Sequence, residues 1–286
     1  MITEKAINLH HKSFAFEESS EHSKKIGFYD PFTETPLHPD EVPRSIAEHP
    51  KLNAGLNYLV QRSQDMTLTI MPAPHAAGDV HNQRDLEQAF NEHDAIFFEG
   101  IGNTKDQRDV VWEVSAGHRS HLTEDEANQF GDYGIRKLSA LAGKNKPAFF
   151  ADMPIDGDDY EKSLIEWGGI LDTLYDKINH ATGEELDNLN LTAGINLAAV
   201  TILREWYIIA NIGAHMKELD EQAGYKSSTP MLLIGNLHGQ TLPYKLQKLG
   251  VDCKLRTPHM DSRGEQKMLD IPFDLVQALS HYAVKF

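Results

Sequence analysis

A chain of 286 residues, 40% hydrophobic and 24% charged, has enough apolar material to bury a core of domain size. Its 43 acidic against 27 basic residues leave a formal charge of −16, a field that repels nucleic acid and anionic lipid, so neither is an expected partner. The single cysteine, Cys253, excludes an intramolecular disulfide and a thiolate metal cluster, and implies a reducing compartment.

Residues 1 to 50 are polar, bear prolines and lack a sustained period, and FYDPFTETPLHPDEVP predicts turns between Phe28 and Pro43. This stretch reads as an N-terminal arm. Its aromatics, Phe14, Phe16, Phe28, Tyr29 and Phe32, would lie on the domain or on a second subunit, which permits a homodimer. No long apolar run opens the chain as a signal peptide would. The longest apolar region, Ile195 to Leu203, is broken by Asn196 and Thr201 and is too short to cross a bilayer. A cytoplasmic protein with no membrane partner is expected.

Residues 51 to 286 read as one α/β domain. A short helix is expected over Leu52 to Arg62, then a strand at Met66 to Met71, a helix at Gln83 to His93 and a strand at Asp94 to Phe98. Val110 to Val114 fits either a strand or the start of a helix. Thr123 to Lys144 opens with a capping-box pattern that puts Glu126 at the third helical position. Pro147 to Asp152 is the third strand, and two long helices with apolar stripes follow, Asp158 to His180 and Thr192 to Leu219. Pro230 to Gly235 is a strand, Leu242 to Leu249 a helix, Val251 to Arg256 a fifth strand and Phe273 to Val284 a closing helix. Alternating strands and helices predict a central, largely parallel or mixed sheet with helices packed against it.

The stretch MLLIGNLHGQ, Met231 to Gln240, runs from a buried strand into Gly235-Asn236-Leu237-His238-Gly239, a turn that would place His238 at the carboxyl edge of the sheet. LTIMPAPH delivers His75 in the same way, GDVH offers His81 as a second choice, and DAIFF ends in Glu99. Two imidazoles and a carboxylate at one edge suit either a metal site or acid–base chemistry. Arg204 sits in an otherwise apolar helical face and needs a carboxylate partner, for which Glu99 and Asp152 are the candidates. His10, His11, His118 and His121 lie in polar segments and read as surface histidines. His259 follows the fifth strand and could reach the same edge.

Taken in order, PAPHAAGDVHNQRDLEQAFNEHDAIFFEG, FFADMPID, LREWYIIANIG and LLIGNLHG resemble the TraB/Tiki-type superfamily, which includes erythromycin-esterase-like and ChaN-like proteins. The resemblance spans roughly Met66 to Arg256. Gly235 to His238 matches its second GxxH element, ADMPID is similar to its D-R-P-I element, and LREW is similar to its helical arginine. Two positions depart from it: Pro72 stands where the first element has glycine, and Met153 where D-R-P-I has arginine.

The resemblance implies a hydrolase of peptide, ester or amide bonds with a small-molecule or peptide substrate, and catalytic residues His75, Glu99, Asp152, Arg204 and His238. In its metal-dependent form His75, Glu99 and His238 would hold one divalent ion, manganese, zinc or cobalt. In the metal-free form a histidine would be the general base and Arg204 would steady the oxyanion. The alternative is a non-enzymatic relative of the same fold that binds a small ligand, a metal or haem. A third reading is a scaffold that engages partners through the aromatic arm.

Overall fold

The structure is a computed structural model that describes residues 29–30, 32–33, 35–73, 83–99, 105–152 and 173–272. The chain forms two compact units, residues 1–53 with 154–207 and residues 54–153 with 208–286.

In the first unit, strands β1 (Tyr29–Asp30) and β2 (Thr35–Pro36) form a short antiparallel ladder. Helix α1 (Arg44–Ala47) follows, and helix α2 (Pro50–Arg62) begins here. Asp30 is fully buried, and its carboxylate accepts bonds from the backbone N–H of Phe32 and of Ser45, both at 3.0 Å. Ser45 is the second residue of α1, whose own N-cap, Pro43, has no side-chain cap. Asp30 therefore supplies the acceptor that the start of α1 needs. Leu174 and Ile178, from a helical stretch at 173–178, pack on Leu189 and Ala193. These last two belong to helix α6 (Glu184–Ala223), which carries acidic residues Glu184, Glu185 and Asp187 in its first turn, where the helix dipole favours them.

α6 extends well beyond the predicted Thr192 to Leu219 and continues into the second unit. It stops at Gly224, whose φ of +62° suits the left-handed residue that ends a helix. There Tyr225 N–H reaches back to Leu219 O at 3.2 Å. The helix is long and apolar enough to cross a membrane, and 61% of its most apolar window is buried, as in a core helix.

The second unit is built on a six-stranded sheet: β3 (Leu68–Ala73), β4 (Ala95–Phe98), β5 (Ala148–Phe150), β6 (Pro230–Gly235), β7 (Cys253–Met260) and β8 (Gln266–Pro272). Their spatial order is β5-β4-β6-β3-β7-β8, parallel except for the antiparallel hairpin β7–β8. This is the expected α/β architecture. β4 and β6 are buried along their whole length, as strands covered on both faces must be.

On one face Met71, Ala73, Ile96, Phe98, Phe150, Met231 and Leu233 pack against helices α3 (Gln83–Glu92), α4 (Lys105–Ser115) and α5 (Glu124–Leu141), burying Phe90, Val111 and Leu138 among them. Val110 to Val114 is thus helical. On the other face His215 of α6 stacks on Phe149, which stacks in turn on Phe97, and Gly239 of helix α7 (Asn236–Lys248) meets Pro72. The capping box at α5 is present: Thr123 Oγ1 accepts from Glu126 N–H, and Glu126 takes the Thr123 N–H.

Three sequence expectations need correction. α7 starts at Asn236, not at Leu242, so the GNLHG stretch is strand followed at once by helix. Strand β8 was not expected: its polar, alternating segment is held by the turn at Asp261–Glu265, where Asp261 Oδ1 accepts from Arg263 N–H and Glu265 N–H. Asp94 lies outside β4; its carboxylate takes the backbone N–H groups of Ser228 and Thr229, tying the entrance of β4 to the entrance of β6. The predicted helices at Asp158 to His180, up to residue 172, and at Phe273 to Val284 lie outside the described residues.

Candidate functional site

The strand order fixes where a site can form. β4 connects outward to β5, while its neighbour β6 connects the opposite way, across β3 to β7. Adjacent parallel strands whose connections diverge leave a crevice at their carboxyl ends, the usual ligand position in open α/β sheets. Glu99 follows the last residue of β4 and His238 lies in the first turn of the helix after β6.

These two side chains meet. His238 Nε2 is 3.4 Å from Glu99 Oε1, and the other oxygen, Oε2, accepts a close bond from the backbone N–H of Gly235. Glu99 N–H donates to Leu233 O at 3.0 Å, so the residue is registered on β6 by its backbone as well as its carboxylate. Glu99 is 1% exposed and His238 7%. A buried carboxylate needs compensation, and the N-cap amide of α7 supplies a hydrogen bond to one of its oxygens while the His238 ring lies against the other. The amino end of α7 adds the favourable end of a helix dipole to the same carboxylate.

Of the two glycines of this stretch, Gly239 serves packing rather than turning. Gly235 has φ −57° and ψ 148°, values open to any residue. A Cβ on Gly239, by contrast, would stand 2.7 Å from Cβ and Cγ of Pro72. Pro72, a departure from the resembled pattern, is therefore the surface on which the first turn of α7 rests. It is tolerated inside the sheet because the pairing of β3 with β7 ends at Ile70–Leu255, two residues earlier.

Asp152 is 7% exposed and follows β5, with the preceding Ala151 N–H bonded to Phe98 O at 2.7 Å, so it stands at the carboxyl edge one strand from Glu99. Asn211, fully buried on α6, donates from Nδ2 to Ala151 O at 3.0 Å and fixes that strand end. Nothing in the sequence marked Asn211 or the Gly235 amide, since one contact is tertiary and the other is made by the backbone. Arg204, partly buried on α6, belongs to the first unit. His75, His81, Met153, His10 and His11 lie outside the described residues. His118 and His121 are exposed, His118 against the ring of Trp112, and His259 is on β7.

For a divalent ion, Glu99 and His238 offer one carboxylate oxygen and one imidazole nitrogen, donors that manganese, zinc and cobalt accept. Among the described residues no group of three or more His, Cys, Asp and Glu converges. The third ligand expected from the sequence, His75, is not among them. No family model matches the chain, and no curated protein or solved structure is significantly similar to it.

Proposed function

We propose that the chain is a hydrolase of ester, amide or peptide bonds whose working pair is Glu99 and His238. The observation that carries this reading is the contact of 3.4 Å between Glu99 Oε1 and His238 Nε2, buried at the diverging ends of two adjacent parallel strands. The Gly235 amide holds the carboxylate in place. In this reading the carboxylate orients the imidazole, accepting a hydrogen bond from an Nε2 proton as the ring turns toward it in the working state, and Nδ1 is the acceptor for a proton from water. Glu99 stabilises the imidazolium as it forms, the role of the acid in a carboxylate–histidine pair. In the metal-dependent version a divalent ion would be held by Glu99, His238 and His75 and would supply a water made nucleophilic near neutral pH.

The near-complete burial of both side chains favours a second reading, a site that encloses a small ligand without turning it over. One screen separates the two. Purified protein is offered p-nitrophenyl esters, amino-acid p-nitroanilides and short peptides, with a chelator or with added manganese, zinc or cobalt, beside Glu99→Gln and His238→Gln. The hydrolase reading expects turnover that falls on the order of a hundredfold or more in both variants while they stay folded. No turnover of any substrate with any ion, or turnover that survives both substitutions, would overturn it.

A further inference from the structure

The β7–β8 hairpin runs on past the carboxyl edge of the sheet, the edge at which His238, after β6, and Glu99, after β4, lie two and three strands away. β7 is registered on β3 with Ile70 opposite Leu255, and β3 ends at Ala73, which is opposite Gly235, the last residue of β6. Carried forward, Pro258 is level with that edge, yet β7 continues to Met260 and pairs with β8 up to Met260–Gln266 before the turn at Asp261–Glu265. At about 3.3 Å per residue the three steps from Pro258 to Asp261 carry the start of the turn roughly 10 Å beyond the ends of β3 and β6. In the strand order β7 is two places from β6, about 10 Å at the usual strand spacing.

The tip is built to hold its shape. Asp261 Oδ1 accepts from the N–H groups of Arg263 and Glu265 at 2.8 and 3.0 Å, Asp261 N–H donates to Glu265 O at 2.9 Å, and Gly264 takes the φ of +79° that closes the turn. Arg263 bridges Asp261 and Glu265, and Lys267 reaches Asp261 at 3.2 Å. At its base Arg256 is buried and bonds both Asp270 of β8 and Glu92 of α3. A charge-neutral tip, cross-linked through its own side chains and anchored by a buried guanidinium, is a fixed wall rather than a tail.

We infer that this hairpin is one wall of the ligand cleft and sets its specificity by size, admitting small acyl compounds or an extended peptide end and excluding folded protein. The substrate consequence rests on the hydrolase reading, whereas the wall is tested without turnover. Asn236, exposed at the first residue of α7, follows β6 at the carboxyl edge, two strands from β7, and Gln247 is exposed near the far end of the same helix. Each is changed separately to cysteine, Cys253 being buried, and labelled with N-ethylmaleimide and with a maleimide on a long polyethylene glycol chain. In the intact hairpin the ratio of bulky to small labelling rates should be on the order of tenfold lower for Asn236→Cys than for Gln247→Cys, access deciding thiol reactivity. Replacing residues 259–267 by Asn-Gly, which joins the register partners Pro258 and Met268, should remove that difference. Equal ratios at the two positions in the intact chain would overturn the inference, and that comparison stands even if the shortened chain fails to fold. Absence of hydrolysis in the substrate screen would count against the hydrolase and leave the labelling result untouched.

Discussion

Gly239 packs on Pro72 more closely than a residue with a side chain could: a Cβ at Gly239 would lie 2.7 Å from the proline ring. The first turn of α7, with His238 in it, is therefore set at its height above the sheet by a glycine pressed on a proline. Gly239→Ala should lift that turn and cost about 1–3 kcal/mol of stability, the usual penalty for overpacking. His238 would move with it. Thermal unfolding and the activity of the same sample should both fall, and Pro72→Ala in the Gly239→Ala background should recover part of the loss.

Asp94 joins two strands through its carboxylate. Burial would raise its carboxyl group, but the hydrogen bonds from Ser227, Ser228 and Thr229 outweigh it and hold the group below the usual carboxylate range. A carboxyl whose folded value is depressed contributes stability that is present above its unfolded value, near 3.9, and is lost as the pH falls through the folded value. Asp94→Asn should lower stability at pH 7 by about 1–3 kcal/mol. It should also flatten the acid limb of the stability profile below about pH 4. Urea melts of both proteins from pH 3 to 7 check the sign.

Helices α2 and α6 meet backbone to backbone in the second unit. A Cβ on Gly213 would stand 2.1 Å from Gly55 O, and one on Gly55 2.1 Å from Ala210 O. Neither obstacle is the end of a flexible side chain. Gly213→Ala should destabilise by about 3 kcal/mol or more, at the upper end for overpacking, whereas Gly194→Ala on the same helix, where a Cβ meets nothing within 4 Å, should be neutral or slightly stabilising.

Cys253 is 6% exposed at the start of β7, and burial, with Asp252 adding to it, pushes its thiol up to about 12. The thiolate is the reactive form. At pH 8 the native protein should therefore leave a disulfide reagent unreacted, and one thiol per chain should appear on unfolding in urea. Immediate reaction of the native protein would contradict the burial.

How far the fold could be read in the sequence follows burial. MLLIG and DAIFF are covered on both faces, so their apolar runs mark β6 and β4 with nearly correct ends. Gln266–Pro272 is an edge strand with Leu269 exposed, and its pairing comes from the Asp261 turn and β7 rather than from its own composition. The GNLHG stretch reads as a turn because glycine and asparagine are turn residues, but Gly239 is needed for close approach to Pro72, a contact between segments far apart in the chain. Glu99 and His238 were legible as side chains at strand ends. The amide of Gly235 that holds Glu99 was not, because a backbone donor leaves no letter in the sequence. Asp30 was equally hidden, being the cap of a helix fifteen residues away.

The most direct test is a double-mutant cycle on the pair, with kcat/KM measured for Glu99→Gln, His238→Gln and the double variant on whichever ester or amide the protein turns over. If Glu99 acts through His238, each single change lowers kcat/KM on the order of a hundredfold or more, and the double variant is no worse than the weaker single. Losses that simply multiply, or single variants as active as the parent, would contradict the account.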